Sequence, residues 1–402
     1  MRNFNINFAG VEFENPFTVA ASPSSDSREK VRRALEAGWG GIVFKTTALA
    51  KHAPQLAEPN MAGLPFMGRP QSSLYNIDLI SERTIEEIQE EIAYFKQLFP
   101  DRRFIGSIMA SGEEEWRELV GRLEEAGADM IECSMSCPQG EHSIAGDKDH
   151  VSNAIPAADS ALMQSTTRVI KAATQKHTPI IVKMTPNVTD IVAIARGAVE
   201  GGADAVCAID TVRAFIGIDL ETGYPKLNIG GRSTWGGLSG PAVKPIALGC
   251  VSQITKALPV PVAGVGGISC WQDAAEFLFV GARNIQVCTA ISKYGFQMVK
   301  AMRDGLCAYM DNKGFRTLDD MVGQSLPYIV DHSELDRNNH QICVIDRAVC
   351  LKCGSCATAC QDAGFGALRQ AEKGQVPTLD QTACRGCGLC RSVCPKDCIS
   401  LA

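Results

Sequence analysis

The stretch CRGCGLCRSVC, residues 384–394, carries four cysteines in the spacing C-x2-C-x2-C-x3-C. A second stretch, CLKCGSCATAC at residues 350–360, repeats that spacing. This is the ligand run of bacterial ferredoxins that bind two [4Fe–4S] clusters, and the fourth Cys of each run there binds the other cluster. The pattern therefore predicts a two-cluster, ferredoxin-like domain over residues 342–402, which passes electrons one at a time.

The crossed ligand pattern assigns four thiolates to each cluster. One set is Cys350, Cys353, Cys356 and Cys394. The other set is Cys360, Cys384, Cys387 and Cys390. Zinc knuckles use C-x2-C pairs, usually two cysteines per knuckle, and disulfides suit a secreted chain, so both alternatives fit less well. The first run departs slightly from the ferredoxin pattern, because Gln361 stands where Pro395 follows the second run.

Composition limits the class of protein further. The chain has 402 residues, 45% hydrophobic and 21% charged, with a net charge of −6, which argues against nucleic acid or an anionic membrane as a partner. No stretch approaches 18 apolar residues, and the first residues lack the apolar core of a signal peptide, so we expect neither a transmembrane helix nor secretion. Eight of the 17 cysteines lie in the two runs and the other nine are scattered, which is typical of the reducing cytoplasm.

Before the cysteine runs, short apolar strands alternate with amphipathic helices. The predicted strands are 17–21, 41–45, 104–109, 129–135, 179–184, 205–209, 260–265 and 284–289. The predicted helices are 28–37, 85–99, 113–126, 159–174, 188–200, 242–257, 271–280 and 296–311. Eight near-continuous apolar strands separated by helices predict an α/β fold, a (β/α)8 TIM barrel, with a doubly wound sheet as the alternative.

The predicted domains follow from this reading. Residues 1–311 form the barrel, preceded by an N-terminal hairpin in which apolar and polar residues alternate around Ala9-Gly10. Residues 312–341 are a polar connector, and residues 342–402 are the cluster domain.

Candidate cofactor residues cluster on one rim of the predicted barrel. Long loops at 47–80, 136–158 and 211–240 follow strands 2, 4 and 6, so they lie on the C-terminal face, where barrel active sites are built. Glycine-rich stretches at 236–241 and 264–268 suit a phosphorylated cofactor, since glycine backbone N–H groups at a helix start can bind phosphate. Lys45 and Lys183 each end a strand, where the alternative is a lysine in solvent at the rim.

Cys137 follows the fourth strand and precedes Pro138 and a long polar loop. A cysteine there can act as a mobile general acid. The alternative is an inert buried thiol, which is the commoner use of free cysteine.

These segments together resemble dihydropyrimidine dehydrogenases. The resemblance is carried by residues 41–46, 128–138, 180–187, 236–241, 264–268 and the double cysteine run. The order of barrel and cluster domain is similar to the catalytic subunit of the bacterial two-subunit form. Many barrel motifs recur in dihydroorotate dehydrogenases, which do not carry the ferredoxin tail on the same chain.

The resemblance implies a chemistry and a set of partners. FMN would transfer hydride from N5 to C6 of a pyrimidine, and Cys137 would protonate C5. Electrons would arrive through the two clusters from a separate NAD(P)H-oxidising FAD/iron–sulfur subunit, in a hetero-oligomer or around a homodimer core. The FMN-contacting positions that match are Ala21, Lys45, Thr46, Lys183, Ser239, Gly240, Gly266, Gly267, Cys288 and Thr289. The pyrimidine-contacting positions that match are Asn76, Ile80 and Thr211.

Three substrate-contacting positions depart from the family. Ser134 and Asp210 replace Asn, and Asp78 replaces Glu. An ionised Asp only accepts hydrogen bonds, whereas Asn also donates, so Asp210 removes a donor that would meet a ring carbonyl. We therefore hypothesise a heterocycle other than uracil or thymine, against the simpler alternative of sequence drift with an unchanged substrate. Two further alternatives are a dihydroorotate-type dehydrogenase and an electron-transfer adaptor without chemistry of its own.

Overall fold

The computed structural model describes residues 4–52, 54–66, 69–135 and 156–402. The chain forms two compact units, Met1–Tyr328 and Ile329–Ala402. The predicted connector 312–341 is thus divided between them, with residues 312–328 in the first unit and 329–341 in the second.

The first unit begins with the predicted hairpin. Strands β1 (Ile6–Phe8) and β2 (Val11–Phe13) pair antiparallel, and Ala9 and Gly10 make the turn with positive φ angles of 51° and 85°. Ile6 and Phe13 face each other across the pair and are both buried.

Eight parallel strands then close into a barrel, which confirms the predicted TIM barrel over the doubly wound sheet. The barrel strands are β3 (Phe17–Val19), β4 (Gly41–Val43), β7 (Arg103–Ile108), β8 (Met130–Ser134), β9 (Ile180–Met184), β10 (Ala205–Ala208), β13 (Val262–Val265) and β14 (Ala282–Val287). Every residue of β8, β9 and β10 is buried, as expected of parallel strands covered on both faces.

Helices surround this barrel, and their ends follow local sequence rules. The helices of the first unit are α1 (Arg28–Ala37), α2 (Ile85–Leu98), α3 (Glu113–Ala126), α4 (Ser160–Ala173), α5 (Ile191–Glu200), α6 (Lys244–Ala257), α7 (Trp271–Phe279), α8 (Thr289–Tyr294) and α9 (Met298–Lys313). Thr84 and Glu87 form a capping box at the start of α2, and Gly127 ends α3 in the left-handed conformation. Short 3-10 turns occupy Pro23–Ser25, Ala50–His52, Pro156–Ala158, Pro241–Val243, Leu318–Asp320, Leu326–Tyr328 and His332–Glu334.

A second sheet, not predicted, lies within two of the long loops. Its antiparallel strands are β5 (Met61–Phe66), β6 (Arg69–Asn76), β11 (Val212–Ala214) and β12 (Gly236–Ser239), in the order β11-β12-β6-β5. We call these four strands the rim sheet. Gly237 pairs with Asn76 on one side and with Arg213 on the other, so the sheet joins the loops that follow strands β4 and β10.

The second unit is small. Its elements are β15 (Cys343–Ile345), α10 (Ser355–Asp362), β16 (Leu368–Arg369), β17 (Thr378–Leu379), α11 (Leu389–Ser392) and β18 (Ile399–Leu401). Strands β15 and β18 pair antiparallel, as do β16 and β17. Each short helix begins after a glycine in the left-handed conformation, Gly354 or Gly388, inside a cysteine run. No helix in the described parts of either unit is long and apolar enough to cross a membrane.

Candidate functional site

A cavity of about 720 Å³ opens at the C-terminal ends of the barrel strands. Ten of the residues that the sequence predicted for cofactor or substrate line it: Ala21, Lys183, Asp210, Thr211, Ser239, Gly240, Gly266, Gly267, Cys288 and Thr289. Since parallel barrel strands all end on one rim, residues as far apart as 21 and 289 meet there.

Glycines shape one end of this cavity. Gly240, Gly266 and Gly267 have positive φ angles of 86°, 131° and 77°. A Cβ on Gly267 would lie 2.8 Å from the Gly240 carbonyl oxygen, so the two backbones approach as only glycine permits. Beside them, the Thr289 hydroxyl donates to Ser239 Oγ at 2.8 Å. Exposed backbone and hydroxyl groups in this arrangement fit the phosphate of a nucleotide such as FMN.

Lys183 lines the same cavity and contacts the buried carboxylate of Glu132. Lys183 Nζ is 3.5 Å from Glu132 Oε1, and Gln286 Nε2 donates to Glu132 Oε2 at 3.0 Å. Burial works against the charge of Lys183, but the carboxylates of Glu132 and Asp210 outweigh it and raise the pKa of Lys183 above its ordinary value. The lysine is therefore a fixed cation at this site.

Gln286 also supports the presence of a bound group. Within the described part of the chain, its Oε1 is buried without a hydrogen-bond partner, while its side chain lines the cavity. A buried acceptor without a partner costs about 1–3 kcal/mol, so a ligand that donates to it would recover that energy. The cation, the unpartnered acceptor and the glycine backbone together fit a flavin mononucleotide.

Asp210 and Thr211 line the same cavity. Asp210 Oδ1 accepts a hydrogen bond from the Thr211 backbone N–H at 2.8 Å. The Asn187 side-chain amide donates to the Thr211 carbonyl at 3.1 Å. A Cβ on Gly237 would lie 2.4 Å from Thr211 Oγ1, so this glycine of the rim sheet gives the threonine its space.

Lys45 and Asp78 form a separate ionic cluster, which does not line the cavity. Lys45 Nζ lies 3.1 Å from Asp78 Oδ2 and 3.7 Å from Asp26 Oδ2. Asn60 donates to Asp78 at 3.4 Å. Burial raises the pKa of Asp78, and the attraction of Lys45 only partly offsets it.

Three more residues that the sequence predicted for the site are Asn76, Thr46 and Ile80. Asn76 donates to the Gly237 carbonyl at 3.1 Å, and the Thr46 and Ser107 hydroxyls are 2.8 Å apart. Ile80 packs in a small buried group with Ala48 and Met109. These residues do not line the main cavity.

Ser134, the last residue of β8, and Cys137 are the two remaining predicted site residues. Ser134 is buried and lies beside Lys183 on the neighbouring strand. Cys137 lies outside the described residues, so its role as a general acid stays a prediction.

Sequence reasoning missed several contributors. Glu132 and Asp26 are buried or largely buried carboxylates that pair with the predicted residues Lys183 and Lys45. Gln286 is buried and donates to Glu132, and Asn187 donates to the Thr211 carbonyl. The signal that could have found Glu132 and Gln286 is a charged or amide residue inside a buried parallel strand, MIECS or ARNIQV. Such groups are rarely buried unless they are paired.

In the second unit, each cluster ligand set surrounds its own cavity. Cys350, Cys353, Cys356 and Cys394 line one of about 340 Å³. Cys360, Cys384, Cys387 and Cys390 line another of about 360 Å³. The fourth Cys of each run thus faces the cavity of the other run, which is the crossed arrangement that the spacing predicts.

The donor set fits iron–sulfur clusters. Within the described residues, no three Cys, His, Asp or Glu side chains converge tightly enough for a single metal ion. Four thiols spread around an apolar cavity instead suit a cube in which each thiolate binds a different iron.

Comparison with known proteins agrees with both units. Residues 3–310 match the dihydroorotate dehydrogenase family, and residues 343–401 match a 4Fe-4S dicluster domain. The fold and site therefore define a barrel oxidoreductase with an iron–sulfur domain on the same chain. The chain belongs to the dihydroorotate dehydrogenase family.

Individual relatives narrow this further. The chain is 38% identical to the NAD-dependent dihydropyrimidine dehydrogenase subunit PreA of Escherichia coli K12, over 100% of this chain and 95% of that protein. It is 32% identical to the chloroplastic dihydropyrimidine dehydrogenase (NADP(+)) of Arabidopsis thaliana, over 83% of this chain and 79% of that protein. It is 34% identical to the catalytic subunit of dihydroorotate dehydrogenase B (NAD(+)) from Methanothermobacter thermautotrophicus, over 78% of this chain and 95% of that protein.

These similarities confirm the predicted resemblance to dihydropyrimidine dehydrogenases, which are oxidoreductases that act on CH–CH bonds. They also confirm the predicted cofactor classes, since FMN belongs to the barrel family and two [4Fe–4S] clusters to the dicluster domain.

Proposed function

We propose that this chain reduces the C5=C6 double bond of a pyrimidine-like heterocycle. The observation that carries the proposal is one cavity that joins a glycine-built phosphate end, the fixed cation Lys183 and the polar pair Asp210 and Thr211. The full-length similarity to a dihydropyrimidine dehydrogenase subunit supports the same reaction class.

Each residue has a role in this proposal. Bound FMN supplies hydride transfer to a ring carbon. Lys183 keeps a positive charge against the cofactor, because Glu132 and Asp210 stabilise it in a buried position. Thr211 and Asp210 bind the polar edge of the substrate ring, and Asn187 and Gly237 fix their position. Cys137 delivers the proton to C5 as a general acid.

We further propose that the preferred ring is neither uracil nor thymine. Asp210 presents a carboxylate to the cavity where the family presents an amide, and its Oδ1 already accepts from Thr211. Buried polar groups left unpaired can reject a ligand by about 10⁴-fold. A ring that offers an N–H, an amine or a cation at that edge would pair with the carboxylate, and the smaller Ser134 leaves room beside Lys183.

The electron source in this proposal is a second subunit. That subunit would oxidise NAD(P)H with FAD and its own iron–sulfur centres, and it would pass electrons to the cysteine-lined sites of this chain. The E. coli relative is named as a subunit of an NAD-dependent enzyme, which supports this assembly. The cytoplasm stays our expected location, since the sixteen described cysteines outside any disulfide suit a reducing compartment.

The test is an anoxic substrate screen. The full chain, loaded with its cofactors, is reduced chemically, and single heterocycles are added while flavin reoxidation is followed by absorbance. The panel holds uracil, thymine, amino- and imino-substituted pyrimidines, and orotate. We expect fast reoxidation by an amino- or imino-bearing ring and slow reoxidation by uracil. Fast turnover of uracil by the unmodified protein would refute the specificity proposal while leaving the reaction class intact.

Two variants separate specificity from chemistry. The pair S134N and D210N restores the family's amides, and we expect it to move preference towards uracil. C137A should slow reoxidation by every ring that reacts, while chemical reduction of the flavin stays unchanged. Unchanged reoxidation in C137A would remove the general-acid role.

A dihydroorotate-type reaction is the second candidate, because residues 3–310 match that family. The same screen decides it, since orotate would then be the ring that reoxidises the flavin fastest.

A further inference from the structure

Each cluster cavity of the second unit contains a fifth cysteine. Cys398 lines the cavity of Cys350 and Cys394, and Cys343 lines the cavity of Cys390. Four irons need only four thiolates, so neither fifth thiol has a place in the ligand sets that the spacing defines. Both are buried, with relative exposures of 8% for Cys398 and 4% for Cys343.

Each fifth thiol lies near a ligand thiol of its cavity. Cys398 Sγ lies 3.3 Å from Cys394 Sγ, and Cys343 lines the same cavity as Cys390. Cys394 and Cys390 belong to opposite ligand sets. The two cavities therefore have the same composition, four ligand thiols and one additional thiol.

One strand pair holds both additional thiols in place. Cys343 begins β15, and Cys398 directly precedes β18, with Ile345 paired to Ile399 between them. Backbone hydrogen bonds extend the pair at both ends, from Asp346 N to the Cys398 carbonyl and from residue 342 N to the residue 402 carbonyl, each at 2.8 Å. The thiols are thus fixed by main-chain geometry and not by a mobile loop.

We propose that Cys398 and Cys343 are S–H donors to the ligand thiolates Cys394 and Cys390, and that each raises the reduction potential of its cluster. The sulfur that binds no iron is a thiol, and its S–H can donate to the ligand sulfur beside it. Thiols are weak donors, but an anionic ligand sulfur is a strong acceptor. Hydrogen bonds to cluster sulfurs help to set the potential, and they favour the reduced cluster because it carries one more negative charge.

This inference rests on the cluster ligand assignment and not on the identity of the substrate. The two residues are positioning residues, since they act through Cys394 and Cys390. Their effect would make electron transfer into each cluster more favourable.

The test is a redox titration of the full chain, followed by electron paramagnetic resonance under anoxic conditions without substrate. We expect C398A and C343A each to lower the midpoint potential of one cluster, a different one in each variant, with iron content equal to the unmodified protein. Cys398→Ser and Cys343→Ser keep a donor and should restore most of the lost potential. The barrel thiol of Cys307 lies outside both cluster cavities, so C307A is the matched control and should leave both potentials unchanged.

Valine variants distinguish the loss of the S–H donor from the loss of packing. Cys398→Val and Cys343→Val fill the space without a donor, and we expect the same downward shift as with alanine. Unchanged potentials with full iron content in the alanine and valine variants would overturn the proposal. Loss of one cluster's iron in both the alanine and the valine variant would also overturn it, because the residue would then be a ligand or a requirement for assembly.

Discussion

The two units have different kinds of hydrophobic core. The barrel unit has an extensive apolar core in which large side chains such as Phe17, Phe104 and Phe277 are fully buried. The second unit has a core of nine buried residues, and five of them are cysteines: Cys343, Cys356, Cys360, Cys390 and Cys398. Small domains that cannot bury enough apolar surface usually need metals or disulfides to fold. We therefore expect the barrel to fold without its cofactor and the second unit to need its clusters for folding.

The two units also build their sites from different arrangements of residues in the sequence. The barrel builds its cavity from residues on many strands, and buried ionic pairs such as Lys183 with Glu132 are held by the surrounding core. The second unit builds each site largely from one short run of cysteines. A single substitution should thus weaken the barrel locally, but loss of iron should affect the second unit as a whole.

Iron removal gives the largest expected difference between the units. After anoxic chelation, we expect amides of residues 343–401 to exchange fully with deuterium, because the core of that unit is small and includes the cluster ligands Cys356, Cys360 and Cys390. Strands β9 and β10 of the barrel should stay protected. Hydrogen exchange with mass spectrometry measures both, and protection that persists over 343–401 without iron would contradict the comparison.

Breaking the buried ion pair in the barrel should have the next largest effect. K183M leaves Glu132 fully buried and without its cation, which we expect to destabilise the barrel by about 3–5 kcal/mol. The double variant K183M with E132Q should recover much of that loss, since no uncompensated charge remains. Urea unfolding followed by hydrogen exchange at β9 measures the change, and exchange over 343–401 should not respond in the holo-protein. Equal stability of K183M and the unmodified chain would show that the pair contributes nothing to the barrel.

Two glycines with similar positive φ angles separate backbone strain from site geometry. Gly267 and Gly295 have φ angles of 77° and 75°, but only Gly267 has atoms within 3.0 Å of a built Cβ. G295A should cost about 1–3 kcal/mol of backbone strain and keep FMN. G267A should lose FMN binding at least tenfold more, because its Cβ displaces the Gly240 carbonyl or Lys244. Fluorescence titration with FMN measures both variants, and equal affinities would remove the glycine cradle from the site.

The smallest expected effect is a loss of barrel stability at acid pH, which arises from the carboxyl group of Glu115. Burial raises the pKa of this carboxyl, but hydrogen bonds from Lys51, Ser111 and His52 outweigh burial and lower it from 4.5 to about 2. Its contribution to stability is present above pH 4.5 and is lost as the pH falls from 4.5 towards 2. E115Q should therefore reduce the protection of α3 at pH 7 and flatten its decline below pH 4.5. The control is E113Q on the same helix, where the pair with Arg117 is in solvent and contributes little.

Sequence alone predicted the elements whose patterns are local. All eight barrel strands were found within a few residues, because parallel strands buried on both faces read as short apolar runs. Helix α1 begins and ends at the predicted residues, since Ser27 caps its start and Gly38 its end. The crossed thiol sets around the two cavities followed from spacing, because a cube held by one loop leaves little freedom in the sequence between its ligands.

Tertiary structure alone decided the contacts between distant residues. The Asn76 side chain meets Gly237 across 161 positions, and Gln286 meets Glu132 across 154. The rim sheet and the Lys45 cluster likewise depend on strand register and barrel closure, and the fifth thiols depend on the pairing of β15 with β18. A local pattern records which face of a strand is buried, but it does not record which distant polar group the closed barrel will bring to that face, because that partner is selected only when the whole chain packs.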